Sequence, residues 1–487
     1  MHLRPDRLSS LDQFFLSAEG PSTPMHMAAT LVFDSGPLRR GRRTVDVAAL
    51  RAHVASRLHR SIRYRQRLMR TLVGGRMVWI DDRGFDLSRH VHHRRLERTA
   101  RERDMRNAAA DIVARPLERS RPLWELTILD GWSEQSFAVV MKIHHCMADG
   151  IGGVDQLAAL LSAEPDEAPD DPPGWRPRAG PDLLDLMVED LSGVTRAAEE
   201  ALDFLGHALR EPAATGTSLQ RTLGAVSTAA RAIVHPAMRT PINRAVGPER
   251  RLEWLAMPLA EIRFIKRRLG GTLNDVVLAI VTGALRRYLG RRGVRFGVGE
   301  GEVRAAVPVS MRERGSAAAN QVSLWLLPLP VDESDPVAAL ARTRATTSRL
   351  RGSGEARELY SLLRLAEALG PTLSEAGVYL VKQLLPFNVV VTNVPGPKGP
   401  LYMNGARLRA IHPCVPLFER QGLGIALLGY DGTLFWGFLA DPEILPDLEE
   451  LVYAAAVSFG ELLDRAAAEQ PPVEAERFEE TAEVLSA

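Results

Sequence analysis

The feature that most constrains this chain is a junction. Residues 136–143, SFAVVMKI, are a run of β-branched and apolar side chains that reads as a strand, and they deliver the chain directly to His144-His145-Cys146-Met147-Ala148-Asp149-Gly150. The residues that follow, IGGVDQLAALLSA, read as a helix. Strand, polar turn and helix in immediate succession put the histidines at a strand end and point to an α/β layer architecture. Successive strand side chains face opposite ways, so only one of the two histidines can face a given cleft.

That geometry suits one base rather than a pair. A neutral imidazole within reach of an alcohol can take its proton as the oxygen attacks a carbonyl carbon, and the imidazolium can return a proton to the leaving group. Asp149 can hold the turn by accepting hydrogen bonds, and Gly150 lets the chain leave in a conformation closed to other residues. Three rival readings use the same residues. Metal ligation by His144, His145 and Asp149 conflicts with the divergence of adjacent histidines and lacks a second ligand cluster. Cys146 as a nucleophile lacks a separate orienting pattern. A purely structural histidine pair leaves the Asp-Gly at its set distance unexplained.

The rest of the chain reads as two lobes and a bridge. At 487 residues and 45% hydrophobic composition it exceeds one ordinary core. LSSLDQFFL is a short helix capped by Ser9 or Ser10 with Phe14 and Phe15 buried, and TPMHMAATLVFD is a strand. Residues 47–70, with Leu50, Val54, Leu58, Ile62 and Leu68, read as one basic amphipathic helix. A helix over 105–118 leads to the strand WELTILD. The first lobe is thus residues 1–163. Residues 164–249 form a bridge, a Pro- and acid-rich linker (164–180) followed by amphipathic stretches at 182–209 and 218–234. The second lobe, 250–468, has helices at 259–269 and from Asn274-Asp275, strands near 303–309 and 322–330, and helix through 336–385. It continues with a strand into the Gly/Pro turn after Asn393, a hairpin around Tyr430-Asp431-Gly432 and a helix over 446–468. An acidic tail, 469–487, is expected to be disordered.

The net charge of +1 conceals an asymmetry: residues 1–110 carry 22 Arg and 11 Asp/Glu, whereas 441–487 carry 13 Asp/Glu and 2 Arg. Basic residues in the first region could meet anionic lipid, nucleotide phosphate or nucleic acid, but solvated faces and internal pairing with acidic segments are the simpler outcome. The helix over 47–70 could lie on an anionic membrane; one face in a core gives the same pattern. Two cysteines, Cys146 and Cys414, form no disulfide framework, and a reducing, cytoplasmic setting is expected. The N-terminus lacks the apolar core of a signal peptide, and no window approaches the roughly twenty apolar residues of a membrane span.

The motif His-His-x-x-x-Asp-Gly resembles the active-site motif of the CoA-dependent acyltransferase superfamily. Pro24-Met25-His26-Met27, Pro122-Leu123-Trp124, Asn274-Asp275, Val307-Pro308-Val309-Ser310-Met311-Arg312 and Asn393-Val394-Pro395-Gly396-Pro397 narrow the resemblance to the bacterial wax ester synthase/diacylglycerol acyltransferase family. The resemblance implies two chloramphenicol-acetyltransferase-like lobes joined by a helical linker, with a substrate tunnel at their interface. It implies His145 as general base, with His144 and Asp149 shaping the turn, and Gly150 and Asp275 as structural support. Asn274 is a candidate catalytic donor to the oxyanion, or only a helix cap. Pro122, Leu123 and Trp124, and Asn393, Pro395 and Gly396, are candidates to line the tunnel; core packing is the plainer role for Trp124. The implied substrates are fatty acyl-CoA and a diacylglycerol or fatty alcohol, met at a membrane or lipid-droplet surface. No cofactor, metal or nucleic acid is implied, because acyl-CoA is itself a substrate. With 57 arginines and four lysines, no residue is singled out for the CoA phosphates.

Two other functions use the same motif or the same charges. Acyl transfer in natural-product assembly would draw on a carrier-protein thioester, and a non-enzymatic lipid-surface protein would use the basic helix and the bridge.

Overall fold

The computed structural model describes residues 6–71, 77–97, 99–148, 150–167, 170, 174–180, 237–297, 301–310, 322–353 and 387–469. The first half contains β1 (Asp6–Arg7), α1 (Ser10–Ala18), β2 (His26–Asp34), α2 (Val47–Arg57), β3 (Gln66–Arg70), β4 (Met77–Asp81), β5 (Val91–Arg95), α3 (Glu102–Ala114), β6 (Trp124–Asp130), β7 (Ser136–His144) and α4 (Gly150–Ala159). The second contains β8 (Arg251–Pro258), α5 (Leu259–Leu269), α6 (Leu273–Arg291), β9 (Arg304–Ser310), β10 (Val322–Pro328), α7 (Pro336–Ser353), β11 (Val389–Val394), β12 (Tyr402–Met403), β13 (Ala406–Cys414), β14 (Leu423–Tyr430), β15 (Thr433–Ala440) and α8 (Leu448–Ala468).

Among the described residues two six-stranded sheets, ordered β12-β13-β2-β7-β6-β5 and β10-β9-β11-β14-β15-β8, stand beside a small sheet β1-β4-β3. In the first, β7 is central, and the period-two pattern of its side chains divides two cores. Phe137, Val139, Met141 and Ile143 join one apolar cluster, whereas Ala138 and Val140 join the cluster that contains Met105, Ala108 and Ala109 of α3. In the second, the Tyr430-Asp431-Gly432 hairpin forms as its sequence predicts: Asp431 and Gly432 take φ of 44° and 78°, and Tyr430 pairs with Thr433.

The first sheet is not built from the first half alone. β12 and β13, which the sequence reading assigned to the second lobe at 250–468, pair instead with each other and with β2, Cys414 opposite Ala28. Gly437 on β15 touches this visiting strand so closely that a Cβ would overlap the Pro413 carbonyl oxygen. The two sheets meet there, and one large apolar cluster contains residues of both.

The single helix expected over 47–70 is shorter. α2 ends at Arg57, two 3₁₀ turns follow (Leu58–Arg60 and Ile62–Arg65), and 66–70 is strand β3. The reason lies in the period: Leu50, Val54 and Leu58 recur every four residues and are buried, but Ile62 is 53% exposed and Tyr64, Gln66 and Leu68 are buried at every second position. The apolar face of α2 therefore packs inside the molecule and is not free for a bilayer.

Two arginines at and just beyond its end are paired within the molecule. Arg57, wholly buried, donates to the Leu161 carbonyl at 3.3 Å, to Ser162 Oγ at 2.7 Å and to Glu167 at 3.0 Å. Arg60 meets Glu167 at 2.9 Å and Asp170 at 2.7 Å. The acidic start of the segment after α4 thus pairs with Arg57, at the end of α2, and with Arg60, in the turn that follows. The amphipathic stretches 182–209 and 218–234, the continuation of the 336–385 helix beyond Ser353 and the tail beyond Glu469 lie outside the described residues.

Candidate active site

The end of β7 is held by its two neighbours in turn. The His144 N–H donates to the Leu123 carbonyl and the His145 N–H to the Met25 carbonyl, each at 2.9 Å. The alternation sends the two side chains to opposite sides, as the sequence requires. His144 is 1% exposed, and His145 continues the Met141–Ile143 row into a cavity.

Behind the sheet, His144 Nδ1 accepts the Cys146 backbone N–H at 3.1 Å and lies 3.0 Å from Cys146 Sγ. Its Nε2 sits 3.6 Å from Glu19 Oε1. Glu19 is the C-cap of α1; it accepts the Met25 N–H at 3.2 Å and two Arg119 hydrogen bonds at 2.9 and 2.7 Å. Burial alone would raise the Glu19 pKa, but His144 and Arg119 outweigh it and hold the carboxyl down at about 2. Glu19 therefore stands as a fixed anion tying α1, the start of β2 and the motif together. Burial raises both thiols, Cys146 well above its ordinary value and Cys414 to about 12, so neither is an available nucleophile.

On the open side, the Phe15 ring lies parallel to the His145 imidazole, centroids 3.8 Å apart and planes 11° apart. His145 Nδ1 is enclosed, with no partner from another residue, which leaves Nε2 for the cavity. Burial, then the neighbouring His144, pull its pKa down to about 3. His145 is therefore neutral near pH 7 and able to accept a proton.

The cavity holds about 500 Å³ and is bounded by both sheets: Met27, Met141 and Ile143 from the first, Leu324, Val390 and Leu427 from the second. Apart from His145, the polar side chains on it among the described residues are Ser323, Thr392 and Asn393. A long hydrocarbon chain suits such walls, and one basic ring at their edge suits proton transfer.

The other sequence candidates divide. Asn393 and Pro395 line the cavity. Gly396 is not on its wall; a Cβ there would overlap the Gly429 carbonyl oxygen, so it is the point where β11 leaves against β14. Pro122, Leu123 and Trp124 do not line it either. Leu123 and Trp124 are fully buried in the first lobe's core, and Leu123 supports the motif only through its carbonyl. Asn274 is neither on the cavity nor the cap of its helix: Thr272 caps α6, in a reciprocal box with Asp275. Asp275 is wholly buried and also accepts from Thr347 Oγ1 at 2.7 Å, pinning α6 to α7. Gly150 opens α4, and Asp149 lies outside the described residues. Phe15 and Glu19 were absent from the expected site; the burial predicted for Phe15 was their one sequence signal.

Residues 8–277 match the family pattern described as the wax ester synthase/diacylglycerol acyltransferase catalytic domain, and residues 318–463 match the C-terminal domain of the same family. The chain belongs to the wax ester synthase/diacylglycerol acyltransferase family. This acyltransferase family member is 31% identical over 452 residues to a Mycobacterium tuberculosis protein named "Probable diacyglycerol O-acyltransferase tgs1", covering 92% of this chain and 93% of that one. A second M. tuberculosis protein named for the same activity is 34% identical over 464 residues, covering 93% and 98%. Among solved structures, the wax ester synthase/diacylglycerol acyltransferase from Marinobacter aquaeolei VT8 superposes with a TM-score of 0.64 at 25% identity, covering 95% of this chain and 100% of that one. The first condensation domain of the calcium-dependent antibiotic synthetase shares the two-lobe fold, at a TM-score of 0.58 and 16% identity over 96% and 97% of the chains. Among the described residues no single helix is long and apolar enough to cross a membrane; α5 and α6 pass only as a pair bent by 96°.

Burial in this acyltransferase has a further cost. It pulls His26, His145 and His412 down to about 3 and His53 to about 4. An unfolded histidine takes up its proton near pH 6.5, whereas these stay neutral in the native state until pH 3–4. The unfolded state thus binds more protons across that window, and stability present above pH 6.5 is lost on acidification, by up to about 1.4 kcal/mol per pH unit for each fully buried ring. Urea midpoints should fall between pH 7 and pH 5, and less steeply in His412→Phe; an identical slope in that variant would remove His412 from the account.

Proposed function

We propose that the protein transfers a long-chain fatty acyl group from acyl-CoA to the hydroxyl of a diacylglycerol or a fatty alcohol, giving triacylglycerol or wax ester. One observation carries this reading: a neutral histidine, His145, stands at the wall of a mostly apolar cavity bounded by both sheets. The names of the mycobacterial relatives support a diacylglycerol acceptor.

In this mechanism the acceptor O–H gives its proton to His145 Nε2 while the oxygen attacks the thioester carbonyl. The carbon–sulfur bond then breaks, and the imidazolium protonates the CoA thiolate, so no covalent enzyme intermediate and no cofactor are needed. Asn393, an amide on the cavity wall, is the group assigned to the acyl carbonyl. His144, with Asp149 and Gly150, shapes the turn. The acceptor is apolar, which supports work at a membrane or lipid-droplet surface.

The test is a direct acceptor comparison. Purified protein given palmitoyl-CoA should release free CoA only when diacylglycerol or hexadecanol is present, with the matching ester detected by mass spectrometry. CoA release that ignores both acceptors, or none with either, would reject the assignment.

A further inference from the structure

A buried general-base histidine needs two things: a fixed ring plane, and something to stabilise the cation it becomes. The common device is a carboxylate on the second ring nitrogen. Here no carboxylate sits on that nitrogen: Nδ1 is enclosed, and the hydrogen-bonding group that acts on the ring is the residue's own backbone. The nearby carboxylate, Glu19, faces His144 instead.

What lies against the His145 ring is Phe15, parallel and 3.8 Å away between centroids. Phe15 is itself held. Phe14 packs against it edge to face, centroids 5.6 Å apart and planes at 75°. Both sit on α1, whose first turn is closed by the Ser9–Asp12 capping box and whose last residue is followed by the anchored Glu19. The position of the phenyl face is thus set by a capped helix.

We propose that Phe15 is a positioning residue for the reaction, orienting the His145 ring and stabilising its imidazolium through the π face. The inference rests on the acyl-transfer reading above. An aromatic face carries negative charge density and attracts a cation far more than a neutral ring. When the acceptor proton moves to His145 Nε2, a positive charge forms directly against that face. The interaction is then stronger at the transition state than before it, which is the condition for raising kcat. Burial opposes protonation of His145, and Phe15 offsets part of that cost at the moment the charge appears.

The experiment replaces Phe15 in the full-length enzyme with phenylalanine carrying one, two or three ring fluorines, and with cyclohexylalanine. Fluorination drains the π face while nearly preserving shape; cyclohexylalanine removes it altogether. With palmitoyl-CoA and diacylglycerol, kcat should fall stepwise along the series, reaching about 3- to 30-fold for cyclohexylalanine, with KM and thermal midpoint held. A flat kcat across the fluorinated series, or a loss confined to KM or to thermal stability, would overturn the proposal. His145→Ala is measured alongside. Full turnover in that variant would reject the acyl-transfer reading itself, whereas an inactive His145→Ala with a flat fluorine series rejects Phe15 alone.

Discussion

His145→Ala is expected to lower kcat for acyl transfer by about 10²–10⁴-fold, the usual loss when a positioned general base is removed. The side chain lines the cavity and is neutral near pH 7, and among the described residues no second histidine faces the same space. His144 cannot substitute, because its ring lies behind the sheet with Nδ1 engaged by the Cys146 N–H. The fold should survive, since His145 is held through its backbone N–H to Met25 and not through the ring. Steady-state CoA release, together with an unchanged circular dichroism spectrum, checks both halves; turnover within tenfold of wild type would remove His145 from the chemistry.

Trp124→Ala is expected to cost about 3–5 kcal/mol of stability, as large core truncations do. The indole is fully buried, donates its N–H to the Tyr64 carbonyl at 2.9 Å, meets the Tyr64 ring at 5.1 Å and stacks on His90 at 4.6 Å. None of these neighbours is on the cavity wall. The urea midpoint should therefore drop sharply while the acyl-chain preference of the remaining folded enzyme stays as it was. An unchanged midpoint with altered chain preference would return Trp124 to the tunnel.

These two residues show how far local sequence reaches. The facing of His145 follows from the two-residue period of β7, and the hairpin at Asp431-Gly432 follows from turn chemistry, so both are legible in a few residues. Trp124 has the composition of a channel lining and the environment of a core, and only its neighbours decide between them. The strand β3 hides inside what looks like a helix because Leu50, Val54, Leu58 and Ile62 keep helical spacing past the real end of α2. Asn274 sits one residue inside a helix whose cap chemistry belongs to Thr272 and Asp275. Phe15 and Glu19 reach the histidines from far along the chain, and a contact of that kind leaves no periodic trace.

Strand β13 carries a consequence for how the molecule is made. The β2 edge that it covers belongs to the half of the chain synthesised first, so on the ribosome β2 waits with unpaired backbone groups until residues 406–414 emerge. A polypeptide cut between the two matched family segments would keep the histidine motif and lose the strand that closes its sheet. The exposed β2 edge would then be open to pairing with another chain.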